Sequence, residues 1–125
     1  MFTLEQIADI HHRLGSKDSL PRYLRALRDV GVARYDSFVS DGHSVYYGAD
    51  GQELVGPPFH ETFAVAEVAD QEWFLGYLKE GGAGYVEMSR ALADHGVERW
   101  SFDTEQLTIT YRDKAGNELL TERVG

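Results

Sequence analysis

The run Arg25-Ala26-Leu27-Arg28-Asp29-Val30-Gly31-Val32-Ala33-Arg34-Tyr35 returns sixty-five positions later as Arg90-Ala91-Leu92-Ala93-Asp94-His95-Gly96-Val97-Glu98-Arg99-Trp100. Seven of the eleven pairs are identical, and Tyr35/Trp100 exchanges one aromatic ring for another. The same ungapped offset sets Tyr46 on Tyr111, Gly51 on Gly116, Glu53 on Glu118 and Leu54 on Leu119. Self-similarity in one register over some thirty residues predicts one unit used twice. The plainer alternative is a helix stop followed by a strand, spelled alike by coincidence. The expected boundaries are 3–55 for the first unit, 56–67 for a connector and 68–123 for the second, within one domain covering 1–125.

Each unit reads as two helices followed by a β-meander. Thr3 and Gln6 form a capping box, and Leu4, Ile7, Ile10 or His11, and Leu14 then share one helical face. Gly15 ends that helix. Pro21 sits near the start of a second one, where its missing N–H removes no hydrogen bond, and Gly31 closes it. From Ala33 the period becomes two, with Ala33, Tyr35, Ser37 and Val39 on one strand face. Asp41-Gly42 and Asp50-Gly51 predict tight two-residue turns between three strands. Gly56-Pro57-Pro58 breaks the pairing, and Phe59 to Val65 is a weaker candidate for an added strand. In the second unit Asp70 is the expected helix cap, Gly81 to Gly84 the loop between helices, and 97–102, 107–112 and 117–123 the strands. The fold class is therefore α+β, an internal duplication with antiparallel sheet packed against helices around a pseudo-twofold axis. Two separate sheets and one merged sheet are both compatible with the pattern.

Composition excludes several chemistries. A chain of 125 residues that is 42% hydrophobic, with seven Tyr, six Phe and two Trp, can bury a core. It has no cysteine, which rules out disulfides, zinc ribbons and thiol catalysis. No apolar run approaches the roughly 20 residues of a spanning helix, and the stretch from Met1 to Gln6 lacks a basic-then-apolar leader, so the expected location is the cytoplasm, with no membrane partner. The net charge of −9 disfavours nucleic acid. The charge is uneven, with residues 1–35 carrying six Lys/Arg against four acids and the rest six against 17. That asymmetry suits two solvated faces, or a polar contact in a homodimer or with a basic partner.

No catalytic signature stands out. The histidines at 11, 12, 43, 60 and 95 include no i, i+4 helical pair, and neighbours such as His11 and His12 diverge by about 100° around a helix. A tertiary cluster of His43, His60, Asp36 and Asp41 is the alternative; neither a metal nor a cofactor is expected. No G-x-S-x-G elbow occurs. The Gly81 to Gly84 loop lacks the Lys-Ser/Thr of a phosphate-binding loop and reads as a connector. Polar and aromatic groups concentrate instead in Tyr35 to Gly48. Asp36, Asp41, His43, Tyr46 and Tyr47, with His60, are the candidate ligand-binding residues: Tyr hydroxyls, Asp41 and His43 offer hydrogen bonds to a small ligand, and the His43 imidazole is a candidate sensor or base. The structural alternative is a hairpin whose tyrosines merely pack against the helices.

The stretch Tyr35 to Gly51, with Phe38-Val39-Ser40-Asp41-Gly42-His43 and Tyr46-Tyr47-Gly48, resembles a family of small bacterial and prophage proteins of unknown function whose members are often labelled "phage envelope protein". Gly96 to Trp100, and Thr110-Tyr111 through Gly116-Asn117-Glu118, resemble that family's closing segment. The similarity spans nearly the whole chain, including Phe2 to Ile10. The sequence departs from the family pattern around Lys79 to Gly84, where a His-Gln-x-Gly-like run is replaced, and in lacking cysteines near Met88 and Ile109. No thiol or metal role of relatives carries over. The resemblance implies no established chemistry.

Two readings remain. One is a non-enzymatic binding or interaction module for a protein or small-molecule ligand, preferred because no catalytic constellation emerges. The other is a small cysteine-independent enzyme, hydrolase or isomerase in type, with Asp41 and His43 as acid–base groups.

Overall fold

A computed structural model describes residues 2–14, 20–80 and 84–124. Its elements, in order, are α1 (Leu4–Leu14), α2 (Leu20–Asp29), β1 (Val32–Phe38), β2 (Ser44–Gly48), β3 (Glu53–Val55), α3 (Gln71–Glu80), α4 (Tyr85–Asp94), β4 (Arg99–Asp103), β5 (Thr108–Arg112) and β6 (Glu118–Arg123). Gly15 and most of the Gly81 to Gly84 loop lie outside the described residues.

The strands form one antiparallel sheet in the order β3-β2-β1-β4-β5-β6, which settles the choice between merged and separate sheets. β1 and β4 join the halves, with Tyr35 opposite Phe102 and Ser37 opposite Trp100. The registers repeat at the sequence offset: Tyr35 faces Tyr46, and Trp100 faces Tyr111. The outer pairs differ by one place, since Tyr46 faces Leu54 while Tyr111 faces Leu120 beside a bulge. Left-handed backbone recurs in the same way, at Gly31 and Gly96 and at Gly51 and Gly116.

The local signals explain the helix starts. Thr3 N–H donates to Gln6 Oε1 (2.9 Å) and Gln6 N–H to Thr3 Oγ1 (3.2 Å), so both open the first helix reciprocally. Asp70 Oδ1 accepts from Trp73 N–H (3.0 Å). The turns are longer than the Asp-Gly pairs predict. Phe38 N–H donates to His43 O (3.0 Å) across a loop of four residues. Val39 is the cause: it is fully buried and its N–H donates to Glu98 O (2.9 Å), so the chain stays beside β4 for one more residue. At Asp50-Gly51 the loop has three residues, with Gly51 N–H on Gly48 O (3.1 Å) and Gly48 N–H on Gln52 O (2.7 Å), the familiar type I turn followed by a left-handed residue.

Phe59 to Val65 forms no strand. Its amides are used elsewhere: Phe59 and His60 N–H donate to Asp41 O (2.8 and 3.0 Å), and Phe63 N–H to Ser40 O (2.6 Å). The segment is a strap tied to the β1–β2 loop. Further on, Ala66 N–H reaches Ala93 O (2.9 Å).

Because side chains alternate across a strand, Tyr35, Ser37, Tyr46, Trp100, Phe102 and Tyr111 project to the face that the helices cover. Leu24, Leu27, Val32, Phe74, Leu92 and Val97 are fully buried there; the pairs Leu27/Leu92 and Val32/Val97 again stand sixty-five apart. Tyr35 (6% exposed) and Trp100 (7%) are both buried, the packing equivalence expected of repeated units. Arg34, Asp36, Ser101, Thr110 and Arg112 project to the other face, which no helix among the described residues covers.

Candidate functional site

The covered face is not filled. Between α1, the start of α2, the inner strands and the strap lies an open groove of about 1000 Å³. Aromatic side chains dominate its walls: Tyr23, Tyr35, Tyr46, Phe59, Trp100 and Phe102. They support one another. Tyr35 stacks on Phe102 (centroids 4.7 Å apart) and on Tyr46 (5.3 Å), and Tyr23 meets Tyr35 edge-on at 6.2 Å. Rings held in offset and edge contacts keep fixed orientations. His11 abuts Tyr23 edge-on (5.7 Å) and, with Glu5 and His12, brings polar groups to the α1 wall. Ser37 and Ser44 add hydroxyls from the sheet.

Burial pushes the Tyr23 hydroxyl well above the ordinary tyrosine range, nearby Tyr46 adds to the rise, and a hydrogen bond with Tyr35 partly opposes it. Tyr23 is therefore a neutral hydroxyl at any physiological pH. An apolar cleft with a few convergent polar groups is the usual form of a small-molecule site.

The six residues singled out from sequence are not gathered into one pocket. Tyr46 is the only one of them lining the groove. Asp36 and Tyr47 face the opposite side of the sheet, where Arg34 lies over the Tyr47 ring at 4.3 Å. Asp41, His43 and His60 cluster at the end of the β1–β2 hairpin. There His43 Nδ1 is 2.5 Å from Asp41 Oδ1, His43 N–H donates to the same oxygen (3.0 Å), and the His43 ring lies flat on Phe38 (4.5 Å). Burial raises the Asp41 carboxyl, but the hydrogen bonds from His43 and the charges of His43 and His60 outweigh it and hold the group below the usual carboxylate range. His60 stacks on Phe63 (4.7 Å). The cluster ties the strap to the hairpin and borders the groove through Gly42 and Phe59.

Sequence reasoning missed Tyr23, Phe59, Trp100, Phe102 and His11 because amphipathic stripes read as core. The available signal was chemical: tyrosines, rather than leucines, sit at three of the positions facing the helix–sheet interface. Among the described residues no helix is long and apolar enough to cross a membrane. A family model described as "Protein of unknown function (DUF1398)" matches residues 8–123. None of the curated proteins matches the chain.

Proposed function

The chain belongs to the DUF1398 family of proteins of unknown function, and from that premise we propose that it is a non-enzymatic binding module whose helix-side groove takes a small, ring-bearing, largely apolar molecule. The observation that carries this reading is the groove of about 1000 Å³ walled by six aromatic side chains. A groove of that size forfeits dispersion contacts along its walls, a loss that a ligand packed against the ring edges of Tyr35, Tyr46 and Trp100 restores. Tyr23, Ser37, Ser44 and His11 orient the ligand's polar atoms.

The reading treats residues 1–125 as one domain descended from a duplicated unit, supported by the matched β1–β2 and β4–β5 registers. It also takes the protein as bacterial or prophage-borne, supported by the resemblance of Tyr35 to Gly51.

A thermal-shift screen of the full chain against ring-bearing apolar metabolites, with nucleotides and divalent metals as comparison, tests it. A ligand at a hundred times its Kd adds about 2.7 kcal/mol, a rise of several degrees for a chain of this length. No shift from any ring-bearing compound, or shifts from nucleotides or metals alone, contradicts the reading.

A second reading, a small cysteine-independent hydrolase or isomerase, draws on the 2.5 Å contact of Asp41 with His43. It requires turnover that Asp41→Asn and His43→Gln both abolish; turnover that survives both contradicts it.

A further inference from the structure

The uncovered face of the sheet carries a second concavity, of about 470 Å³, and its construction follows from the strand register. Asp36 lies opposite Ser101, Ser101 opposite Thr110, and Thr110 opposite Thr121. These four short polar side chains form a row across four strands, about 4.8 Å apart. The next positions on the same face flank the row. Arg34, Asp103 and Thr108 stand on one side, and Arg99, Arg112 and, across the β5–β6 bulge, Glu118 on the other. The result is a trough with a hydroxyl floor, charged banks and one carboxylate at its end.

That carboxylate is unusual. Asp36 is 7% exposed, and its buried Oδ1 has no hydrogen-bond partner among the described residues. A buried carboxylate oxygen left without a donor is costly, and such an atom calls for a water, an ion or a ligand. Two other carboxylates stand on the banks: Asp103, whose Oδ1 accepts from Glu105 and Gln106 N–H (2.9 Å each), and the exposed Glu118 opposite Arg112. On the cationic side Arg99 pairs with Glu98, whereas Arg34 and Arg112 have no carboxylate partner among the described residues. A purely anionic ligand would face Asp36, and a purely cationic one would face three arginines.

We infer that this trough is a binding site for a small zwitterion of the α-amino-acid type, whose ammonium is held by Asp36 and whose carboxylate is held by the flanking arginines. The floor hydroxyls of Ser101, Thr110 and Thr121 supply both donors and acceptors to the intervening atoms. Thr110 Oγ1 and Thr121 Oγ1 already share a hydrogen bond (2.9 Å), which fixes that end of the floor. Arginine suits the carboxylate because its planar fork meets both oxygens at once.

Isothermal titration of the full chain with each of the twenty L-α-amino acids, glucose and inorganic phosphate tests the assignment. At least one amino acid is expected to bind with a Kd below about 1 mM. Its N-acetyl and carboxamide derivatives, which each remove one charge, are expected to bind at least about tenfold more weakly. Asp36→Asn and Arg34→Gln are expected to weaken binding by a similar factor while circular dichroism and thermal midpoint show a folded protein. No binding by any amino acid at about 10 mM overturns the assignment, as does equal binding of the blocked derivatives or of glucose. Should Asp36→Asn fail to fold, Arg34→Gln and the derivatives still decide the matter.

Discussion

Leu107, at φ 56°, occupies the left-handed backbone position that Gly42, at φ 79°, occupies sixty-five residues earlier. Both close a four-residue hairpin loop, Gly42 before His43 and Leu107 before Thr108. Leu107 is the only non-glycine residue with positive φ among those described, and its side chain packs against the core. A left-handed L-residue costs about 1–2 kcal/mol, so this loop retains its shape despite the wrong residue for it. Leu107→Gly removes that cost while Leu107→Ala keeps it. The glycine variant is therefore expected to be the more stable of the two by about 1 kcal/mol, the reverse of the usual order. Urea midpoints of the two variants check this; an alanine variant as stable as the glycine one contradicts it.

Alanine at Gly42 and at Gly51 separates conformational strain from crowding. A Cβ on Gly51 would meet nothing within 4 Å, whereas on Gly42 it would lie 2.7 Å from Phe59 Cβ and 2.9 Å from His60 Cδ2. Gly51→Ala is expected to cost about 1 kcal/mol for positive φ alone. Gly42→Ala is expected to cost at least about 2 kcal/mol and to loosen the strap. Chemical denaturation gives both values, and equal losses would show that the strap does not press on the hairpin.

Acid should weaken the Asp41 contact in a defined direction. The folded carboxyl is held below its ordinary value, so its contribution is present above about pH 4 and is lost as the pH falls through the depressed value. Asp41→Asn is expected to lower the urea midpoint at pH 7, with the gap to the unaltered protein closing at pH 3. A gap that persists unchanged at pH 3 contradicts the ionic contribution.

Alkali tests the sheet side. Burial, reinforced by the Glu122 carboxylate, pushes the Tyr111 hydroxyl up to about 12. A folded value above the unfolded one of about 10 means that this group's stabilisation is complete below pH 10 and disappears as the pH rises through about 12. An ultraviolet difference titration in which Tyr111→Phe removes absorbance change near pH 10 rather than at the late end would contradict this.

Much of the fold was legible because local chemistry and global pattern agree. The Thr3–Gln6 capping box, the Asp70 cap and the switch from helical to strand period at Gly31 each have a short-range cause, and each is present. Loop lengths were misread at Asp41-Gly42 because the buried Val39 and its bond to Glu98 are contributed by the other half of the chain. Phe59 to Val65 has strand-like alternation, but loop carbonyls of Ser40 and Asp41 take its amides. The candidate site was the least legible part. Asp36, Tyr46 and Tyr47 are near neighbours in sequence or across one hairpin, yet the pleat sends Tyr46 into the groove and the other two to the opposite face. Trp100 joins Tyr35 and Tyr46 only through the β1–β4 pairing, a contact that no local pattern announces.

The aromatic groove is tested most directly by tryptophan fluorescence in a Trp73→Phe background, where Trp100 is the sole indole. Titration with the ring-bearing compound giving the largest thermal shift is expected to change Trp100 emission saturably, with a Kd matching the thermal data. In a second variant adding Tyr46→Ala, affinity is expected to fall at least about tenfold. Saturable binding that leaves Trp100 emission unaltered and is indifferent to Tyr46 would place the ligand elsewhere and contradict the account.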